Sequence, residues 1–593
     1  MRRAVQFVSS FIFSLCSLQA FGVTLTPNAI GGGDIPGSYP IVDFYTSDGN
    51  WVPTLTLPAS ASAGATITIY ANASYSSNVV LTNTDLPLRS LTMVNGDRLK
   101  FTFEGTTSRW IAKLPEYSPN STGATVPDNT NKLGRYSFSD GNWVTTMTLP
   151  AVAAPGAIMI VQSKAASGST IAPTNVLHAS TMRLTTNERY AYIFHPVLKK
   201  WYIVESPIAA VGLQQLDAGA MRSVTRPRTQ LTLPAGAQAL TLKLPPSAGD
   251  RDRISVTSAS TNVHTIRNDA IDFAGTLQVG TGDAYEFMWV AEKGRWVMMS
   301  SPSRSYNVQA LANGRMPDTS VPTTKVNSYD GNWTQLVVLP SRAKPGDRVL
   351  VQSDASWSFQ VVPGGAASFS SQSVTKGDTI AFVVNSKGRW SVETRTIAML
   401  NVYADKVVAS YGSQAARARQ LESFRLTNEA LENSRVNFRL KMVGLMQHRD
   451  QGATLGDALD RLRVDSVVQA ERTRLKANAV YYEGAEDGCG LAWINSSVST
   501  MVGSGSINCG TTVMRHEFGH NMGLAHGGET GGSAIYATGY TLLATIMGGN
   551  AIPYYSTPLV YDATLGVPMG IPGKIDAARA MNERSEQVSN FFR

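Results

Sequence analysis

From about residue 40 to 395, apolar and polar residues alternate in short runs, as in Thr66-Ile67-Thr68-Ile69-Tyr70 and Arg348-Val349-Leu350-Val351. A period of two places every second side chain on one face, so these runs predict half-buried β-strands. Asn95-Gly96-Asp97, Gly282-Asp283 and Gly377-Asp378 punctuate them as turns. The pattern also repeats. Ser47-Asp48-Gly49-Asn50-Trp51 returns as Ser139-Asp140-Gly141-Asn142-Trp143 and as Tyr329-Asp330-Gly331-Asn332-Trp333. A Leu-Pro pair follows each, ending at Pro58, Pro150 and Pro340, and Leu233-Pro234 marks a copy without the Asp-Gly-Asn-Trp turn. Each copy closes on a basic residue and a tryptophan: Arg109-Trp110, Lys200-Trp201, Arg295-Trp296 and Arg389-Trp390. The fold class expected here is multidomain: four all-β modules, sandwich- or barrel-like, over 38–118, 131–208, 218–304 (divergent) and 320–395, then an α/β domain over 396–593.

In that last region strand and helix patterns alternate, which predicts an α/β sheet. Strands are expected at 396–403, 438–446 and 479–482, with helices at 413–434 and 455–474 and a last helix at 574–592. Leu421, Phe424 and Leu431 are expected on the inner face of the first helix, with Arg417, Arg419 and Glu422 outward.

The polar residues that break this pattern most sharply are three histidines. His516, His520 and His526 fall within eleven residues of a chain that has only seven histidines, in the order H-E-x-x-H-x-x-G-x-x-H. On a helix, positions i and i+4 share a face one turn apart, so His516 and His520 can aim at one metal ion. Gly523 is suited to the left-handed turn that ends the helix and lets His526 return. Three imidazoles leave zinc an open position for water, the catalytic arrangement, with Glu517 placed as its general base. Thr511 or Thr512 is expected to cap the helix, and Val513, Phe518 and Met522 to face the core. The scattered His178, His195, His264 and His448 read as structural.

These eleven residues match the signature of the metzincin zinc metalloproteases, which also carry a methionine turn beneath the metal. Thr545-Ile546-Met547-Gly548-Gly549 resembles that turn. Within the clan, 396–593 is similar to the reprolysin-like enzymes, in particular the secreted bacterial peptidyl-Asp metalloendopeptidases. The matching pieces are Gly490-Leu491-Ala492-Trp493, Cys509, the His-bearing helix, Tyr555-Ser556-Thr557-Pro558 and the last helix. The resemblance implies one catalytic Zn2+, a floor made by Met547, and an edge strand at Gly490, Leu491, Ala492 and Trp493 that pairs with an extended substrate. It also implies a pocket walled by Tyr554, Tyr555 and Pro558. Gly527 stands where reprolysins usually carry Asp, and no tyrosine stands two residues after Met547. A pocket selecting Asp needs a cation, yet no Lys or Arg occurs from His516 through Gly573; Lys574, Arg579 and Arg515 are the cations left to reach in, and apolar or small residues are expected there instead. Calcium is left open, with no residue pattern supporting it.

Composition changes the picture at three points. The net charge is +8, but basic and acidic residues balance from 401 onward. The surplus is spread over the first 400 residues without a basic run, so nucleic acid is an unsuited partner. Arg2 and Arg3 followed by the apolar run through Phe13 and Leu15, with small residues near Gly22, read as a signal peptide over 1–22 and imply a secreted protein. No later apolar run is long enough for a membrane span. Removing that segment removes Cys16 and leaves Cys489 and Cys509, expected as a disulfide flanking the approach to the His-bearing helix. A cysteine-switch propeptide is thereby excluded, though the modules could still cover the cleft.

The function expected is a secreted zinc endopeptidase acting on extracellular proteins. Two alternatives stand beside it. One is a glycoprotein-directed protease (mucinase) whose modules bind a glycan or cell-surface ligand through exposed aromatics. The other is an adhesin with an inert site. Nine of ten tryptophans lie in the β half. The closing tryptophans, at one place in every copy, are expected to plug cores rather than bind.

Overall fold

The computed structural model describes residues 22–592 apart from 87, 129–131, 179–181, 196–197, 225, 274–275, 319–320, 386, 394 and 563–566. The expected signal peptide, with Arg2, Arg3 and Cys16, lies outside the described residues except for Gly22.

Each module is two sheets around one core. In the first, Val23–Leu25, Ile41–Thr46, Thr66–Ala71, Arg98–Glu104 and Arg109–Ala112 form a five-stranded sheet in that order. Thr54–Thr56, Ser77–Val80 and Ser90–Met93 form a three-stranded one. Every second residue of Ile41–Thr46 is buried, as the alternation requires. The same two sheets recur in the other three modules. Ile41–Thr46 pairs parallel with Thr66–Ala71 because the chain crosses to the small sheet between them. Each module also takes an edge strand from the segment before it: Val23–Leu25, Glu116–Tyr117, Ile208–Val211 and Ser303–Asn307. These strands lie before the starts expected at 38, 131, 218 and 320.

The repeated letters have repeated jobs. Trp110, Trp201, Trp296 and Trp390 are all buried, and each donates its indole N–H to a proline carbonyl, of Pro58, Pro150, Pro245 and Pro340 respectively. The third-module proline equivalent to Pro58 is therefore Pro245. Leu233-Pro234 instead begins the turn that replaces Asp-Gly-Asn, with the Ala237 N–H bonded to the Pro234 carbonyl. In the other copies the glycine has positive φ: 77° at Gly49, 76° at Gly141 and 87° at Gly331. The aspartates accept from the neighbouring loop, Asp48 from Ser74 N at 2.7 Å, Asp140 from Ala166 N at 2.8 Å and Asp330 from Ser356 N at 2.7 Å.

The C-terminal domain holds a five-stranded sheet in the order Phe438–His448, Arg395–Ala404, Ala479–Gly484, Val502–Ser506, Gly490–Ala492. All pairings are parallel except the last, which makes Gly490–Ala492 an antiparallel edge. The expected helix over 455–474 is two, Leu455–Leu462 and Ser466–Arg474, because Asp465 caps the second through the N–H groups of Val467 and Val468. Helix Ser413–Asn433 turns Leu431 and Phe424 inward and Arg417 outward as expected, but its inner face is more polar than expected and leaves Leu421 out. Leu421 is 54% exposed, whereas Gln420, Ser423, Thr427 and Asn428 are buried. Arg419 also points inward and pairs with buried Glu483 at 2.8 Å. The inner face is polar because it has partners: Asn428 exchanges hydrogen bonds with the Leu440 backbone, and Gln420 bridges Asn401 and Glu483. The final helix is Ala577–Ser589.

The modules and this domain share buried surface. Tyr540, Leu543, Val567 and Met569 belong to one apolar cluster with the first module's core and with Ile158, Ile193 and Tyr202 of the second. The His195 ring of the second module lies 5.7 Å from that of Tyr540, tilted by 47°, and hydrogen-bonds its hydroxyl. At the fourth module, Arg348 pairs with Glu432 and Lys441 with Asp378. Among the described residues no helix is long and apolar enough to cross a membrane.

Candidate metal centre

Helix Val513–Asn521 carries His516 and His520 one turn apart. It packs against strand Val502–Ser506, whose glycines make the approach feasible. A β-carbon on Gly503 would stand 3.3 Å from Cβ of Glu517, and one on Gly505 would collide with the Tyr481 hydroxyl at 2.1 Å. Thr512 occupies the N-cap position without a side-chain capping bond, while Val513, Phe518 and Met522 are buried. The helix ends at Gly523 with φ 95°, and the chain returns to His526.

The three Nε2 atoms converge. That of His526 lies 3.1 Å from His516 Nε2 and 3.2 Å from His520 Nε2. Each Nδ1 is held from behind, at 2.9 Å by the Ile546 carbonyl, at 2.8 Å by the Leu524 carbonyl and at 3.0 Å by the Glu529 carboxylate, in the order His516, His520, His526. Those bonds fix the ring orientation and leave Nε2 as the ligating atom. Burial pushes the pKa of His516 down to about 3 and that of His520 down to about 4, so both rings are neutral. Among the described residues this trio is the one cluster of metal-ligating side chains. The His526 side chain is 46% exposed with all four modules in place, so they do not seal the site.

Glu517 is buried against the edge strand, and a β-carbon on Gly490 would lie 2.4 Å from its Oε1. Burial pushes its carboxyl up to about 8, and Oε2 has no hydrogen-bond partner among the described residues. Met547 sits in the tight turn Ile546–Gly548 beneath the helix, 1% exposed. The Gly527 N–H donates to its carbonyl at 2.8 Å. Gly527 is glycine for lack of room, since a β-carbon would meet Thr541 Cγ2 at 2.5 Å and the Gly539 carbonyl at 3.0 Å.

The edge strand has Leu491 45% exposed, and Trp493 just after it is 41% exposed. Its far end is stitched to the His-bearing helix by Asn521, whose Nδ2 donates to Trp493 O, Ser496 Oγ and Val502 O. At its near end the Cys489–Cys509 disulfide joins strand to helix entry, with Cα atoms 5.2 Å apart. Of the three residues expected in the pocket wall, Tyr555 is fully buried and donates its hydroxyl to the Arg515 carbonyl at 2.5 Å, so it supports the floor instead. Tyr554 packs toward the cluster shared with the first two modules, and Pro558 is partly exposed. Glu529 and Asn521 were not foreseen as site residues. Their proximity in sequence to the ligands was the only signal.

Comparison with known proteins agrees with this geometry. The family model described as "Metalloprotease StcE, beta-sandwich domain" matches four times, at residues 39–114, 131–205, 227–300 and 321–394. "Metallo-peptidase family M12B Reprolysin-like" matches residues 422–527. A curated "Peptidyl-Asp metalloendopeptidase" of Pseudomonas aeruginosa is 25% identical over 258 residues, covering 36% of this chain. The match spans 43% of that relative, less than half its length. A solved chain titled "Structure of a chaperone-substrate complex" is 35% identical with a TM-score of 0.71, over 96% of this chain and 99% of its own. The chain thus belongs with the StcE-type β-sandwich proteins, whose domain it carries four times, and the segment that follows, with the three-histidine site, holds a reprolysin-like M12B metallopeptidase domain.

Proposed function

We propose that the protein is an exported zinc endopeptidase that cleaves extracellular proteins with His516, His520 and His526 as metal ligands and Glu517 as general base. The observation that carries this reading is the convergence of three Nε2 atoms, with Glu517, next in sequence to His516, holding a buried carboxylate oxygen that has no partner among the described residues. Tetrahedral zinc with bonds of ~2.0–2.1 Å requires nitrogens roughly 3.3 Å apart, close to the separations of 3.1 and 3.2 Å. Zinc, when bound, supplies a Lewis acid that lowers the pKa of a bound water from about 15.7 toward 7.

The residues of the chain supply the remainder. The free edge of Gly490–Ala492 offers backbone groups to an extended peptide, so that the substrate adds as a further strand. Glu517 takes a proton from the attacking water and delivers it to the leaving amine. Met547 packs below the ligand-bearing helix and holds its height. Arg515 does not supply a pocket cation, because its guanidinium is held by the side chain and carbonyl of Asn550 at 2.7 and 2.9 Å. The Pseudomonas aeruginosa relative is named for Asp. Here we infer a pocket for apolar or small residues, walled on one side by Tyr554 and Pro558. Export through the N-terminal segment agrees with the Cys489–Cys509 disulfide.

Casein hydrolysis by the wild type and Glu517→Ala, with zinc measured on both, tests the assignment. Activity in the wild type alone, with zinc in both, is expected, and an active Glu517→Ala enzyme would overturn it. Sequencing the products of a peptide library tests the pocket, and a dominant Asp would refute it.

A further inference from the structure

The four modules differ at one place on their surface. In the first, Trp51 follows the Asp48-Gly49-Asn50 turn and its ring lies 5.6 Å from that of Tyr75, tilted by 47°. In the fourth, Trp333 and Trp357 stand at the same two places, 6.1 Å apart and tilted by 59°. Tyr75 is 68% exposed and Trp357 60% exposed. The residue before each is pinned twice by the turn aspartate: Ser74 N and Oγ to Asp48, and Ser356 N and Oγ to Asp330, all at 2.7 Å. The Trp333 indole N–H also donates to the Trp357 carbonyl at 2.9 Å, which fixes that ring.

The fold does not need these pairs. The second module builds the same turn and the same Asp140 bond to Ala166, yet Ser167 follows and Trp143 has no aromatic partner there. The third closes its turn with Pro234 to Ala237 and has Gln238 next. Two copies therefore keep an oriented pair of rings with one ring largely exposed, where the second keeps Trp143 alone and the third has Gln238. Beside each pair lies a small polar group, Asp48 with Ser74 in one and Asp330 with Ser356 in the other. Each Asp oxygen accepts one bond from the serine and retains a lone pair. Two rings fall far short of the roughly 800 Å² per partner of a stable protein interface. A hydroxyl-bearing ring with an apolar C–H face, stacked on the aromatics and hydrogen-bonded at its rim, suits both the size and the chemistry.

We propose that Trp51 with Tyr75 and Trp333 with Trp357 form two carbohydrate-stacking sites that hold pyranose rings of a surface or secreted glycan. This holds whether or not the histidine site cleaves peptides. With two sites on one chain, a multivalent glycan surface is bound more tightly than either site alone would hold it.

The test uses the full chain on an array of O-linked glycans, N-linked glycans and chito-oligosaccharides. Wild type is expected to bind. Tyr75→Ala with Trp357→Ala is expected to lose at least tenfold in affinity, with unchanged thermal unfolding and casein hydrolysis, and each single change is expected to lose less. Should the double variant unfold, protection of Trp357 from N-bromosuccinimide by the best-bound oligosaccharide, mapped by mass spectrometry on the wild type, decides instead. A silent array, binding unaltered in the folded double variant, or no protection would overturn the proposal. So would loss of binding to lipid vesicles or to an unglycosylated protein in place of glycans.

Discussion

The sulfur of Met547 lies 2.6 Å from the point where a β-carbon on Gly519 would stand. The residue just before His520 is therefore glycine so that the methionine can rise beneath the helix, and the floor and the ligands are set by one contact. Gly519→Ala is expected to cost about 1–3 kcal/mol by overpacking. It should also weaken zinc binding, because the helix must lift. Pairing it with Met547→Ala should recover part of the loss, and a double-mutant cycle read by zinc affinity and chemical denaturation measures the coupling.

A carboxylate, that of Glu529, steadies His526, whereas backbone carbonyls steady the other two ligands. Carboxylate-held histidines bind metal more tightly, so Glu529→Gln is expected to lower zinc affinity by about tenfold. Activity at saturating zinc should fall much less. Competition with a chromogenic chelator gives the first quantity and steady-state kinetics the second, and an equal affinity would remove the carboxylate from the site.

The shared apolar cluster makes the second module part of the peptidase's support. Ile193, 5% exposed in that cluster, is remote in sequence from the histidines. Ile193→Ala is expected to destabilise by about 2–4 kcal/mol and to speed amide hydrogen exchange at Tyr540 and Leu543. Exchange confined to the second module would show that the two parts move independently.

Asp465 caps its helix and also accepts bonds from His448 and Arg449, each at 3.0 Å. Burial pushes its carboxyl up, but the bonds from His448, the Val468 N–H and Arg449 outweigh burial and hold it well below the usual range. A depressed folded pKa contributes stability above the unfolded value, near 4, that is lost as pH falls toward the folded value. Asp465→Asn should therefore cost about 1–2 kcal/mol at pH 7. The gap from wild type should narrow progressively below about pH 4 in denaturant titrations.

What the sequence made legible was local. His516, His520, Gly523 and His526 could be placed because helical geometry fixes them relative to one another, and the modules because the chain repeats itself. Strand Val502–Ser506 escaped because Val-Gly-Ser-Gly-Ser has no apolar alternation. Its side chains are missing where Glu517 and Tyr481 need the space. On the inner face of Ser413–Asn433, Leu431 and Phe424 are legible from the sequence, whereas Gln420 and Asn428 are not, because hydrogen bonds to Asn401, Glu483 and Leu440 offset their burial and hydropathy does not register them. Tyr555 looked like a wall because its neighbours in sequence are near the cleft, but whether a tyrosine lines a pocket or lies under it depends on contacts to Arg515, 40 residues earlier. Pro245 was legible by spacing, since Leu244-Pro245 stands 51 residues before Trp296, as Pro58, Pro150 and Pro340 stand 52, 51 and 50 before their tryptophans.

The edge strands at Val23–Leu25, Glu116–Tyr117, Ile208–Val211 and Ser303–Asn307 set where the array can be cut. Each stands after the closing tryptophan of one copy, or before the first copy, and completes the sheet of the copy that follows. The structural unit of the array therefore begins with that strand, and a copy excised from the Asp-Gly-Asn-Trp turn onward would leave its sheet with an open edge. Gene fusions or deletions that respect those four strands should yield well-formed arrays, and those cut at the turns should aggregate.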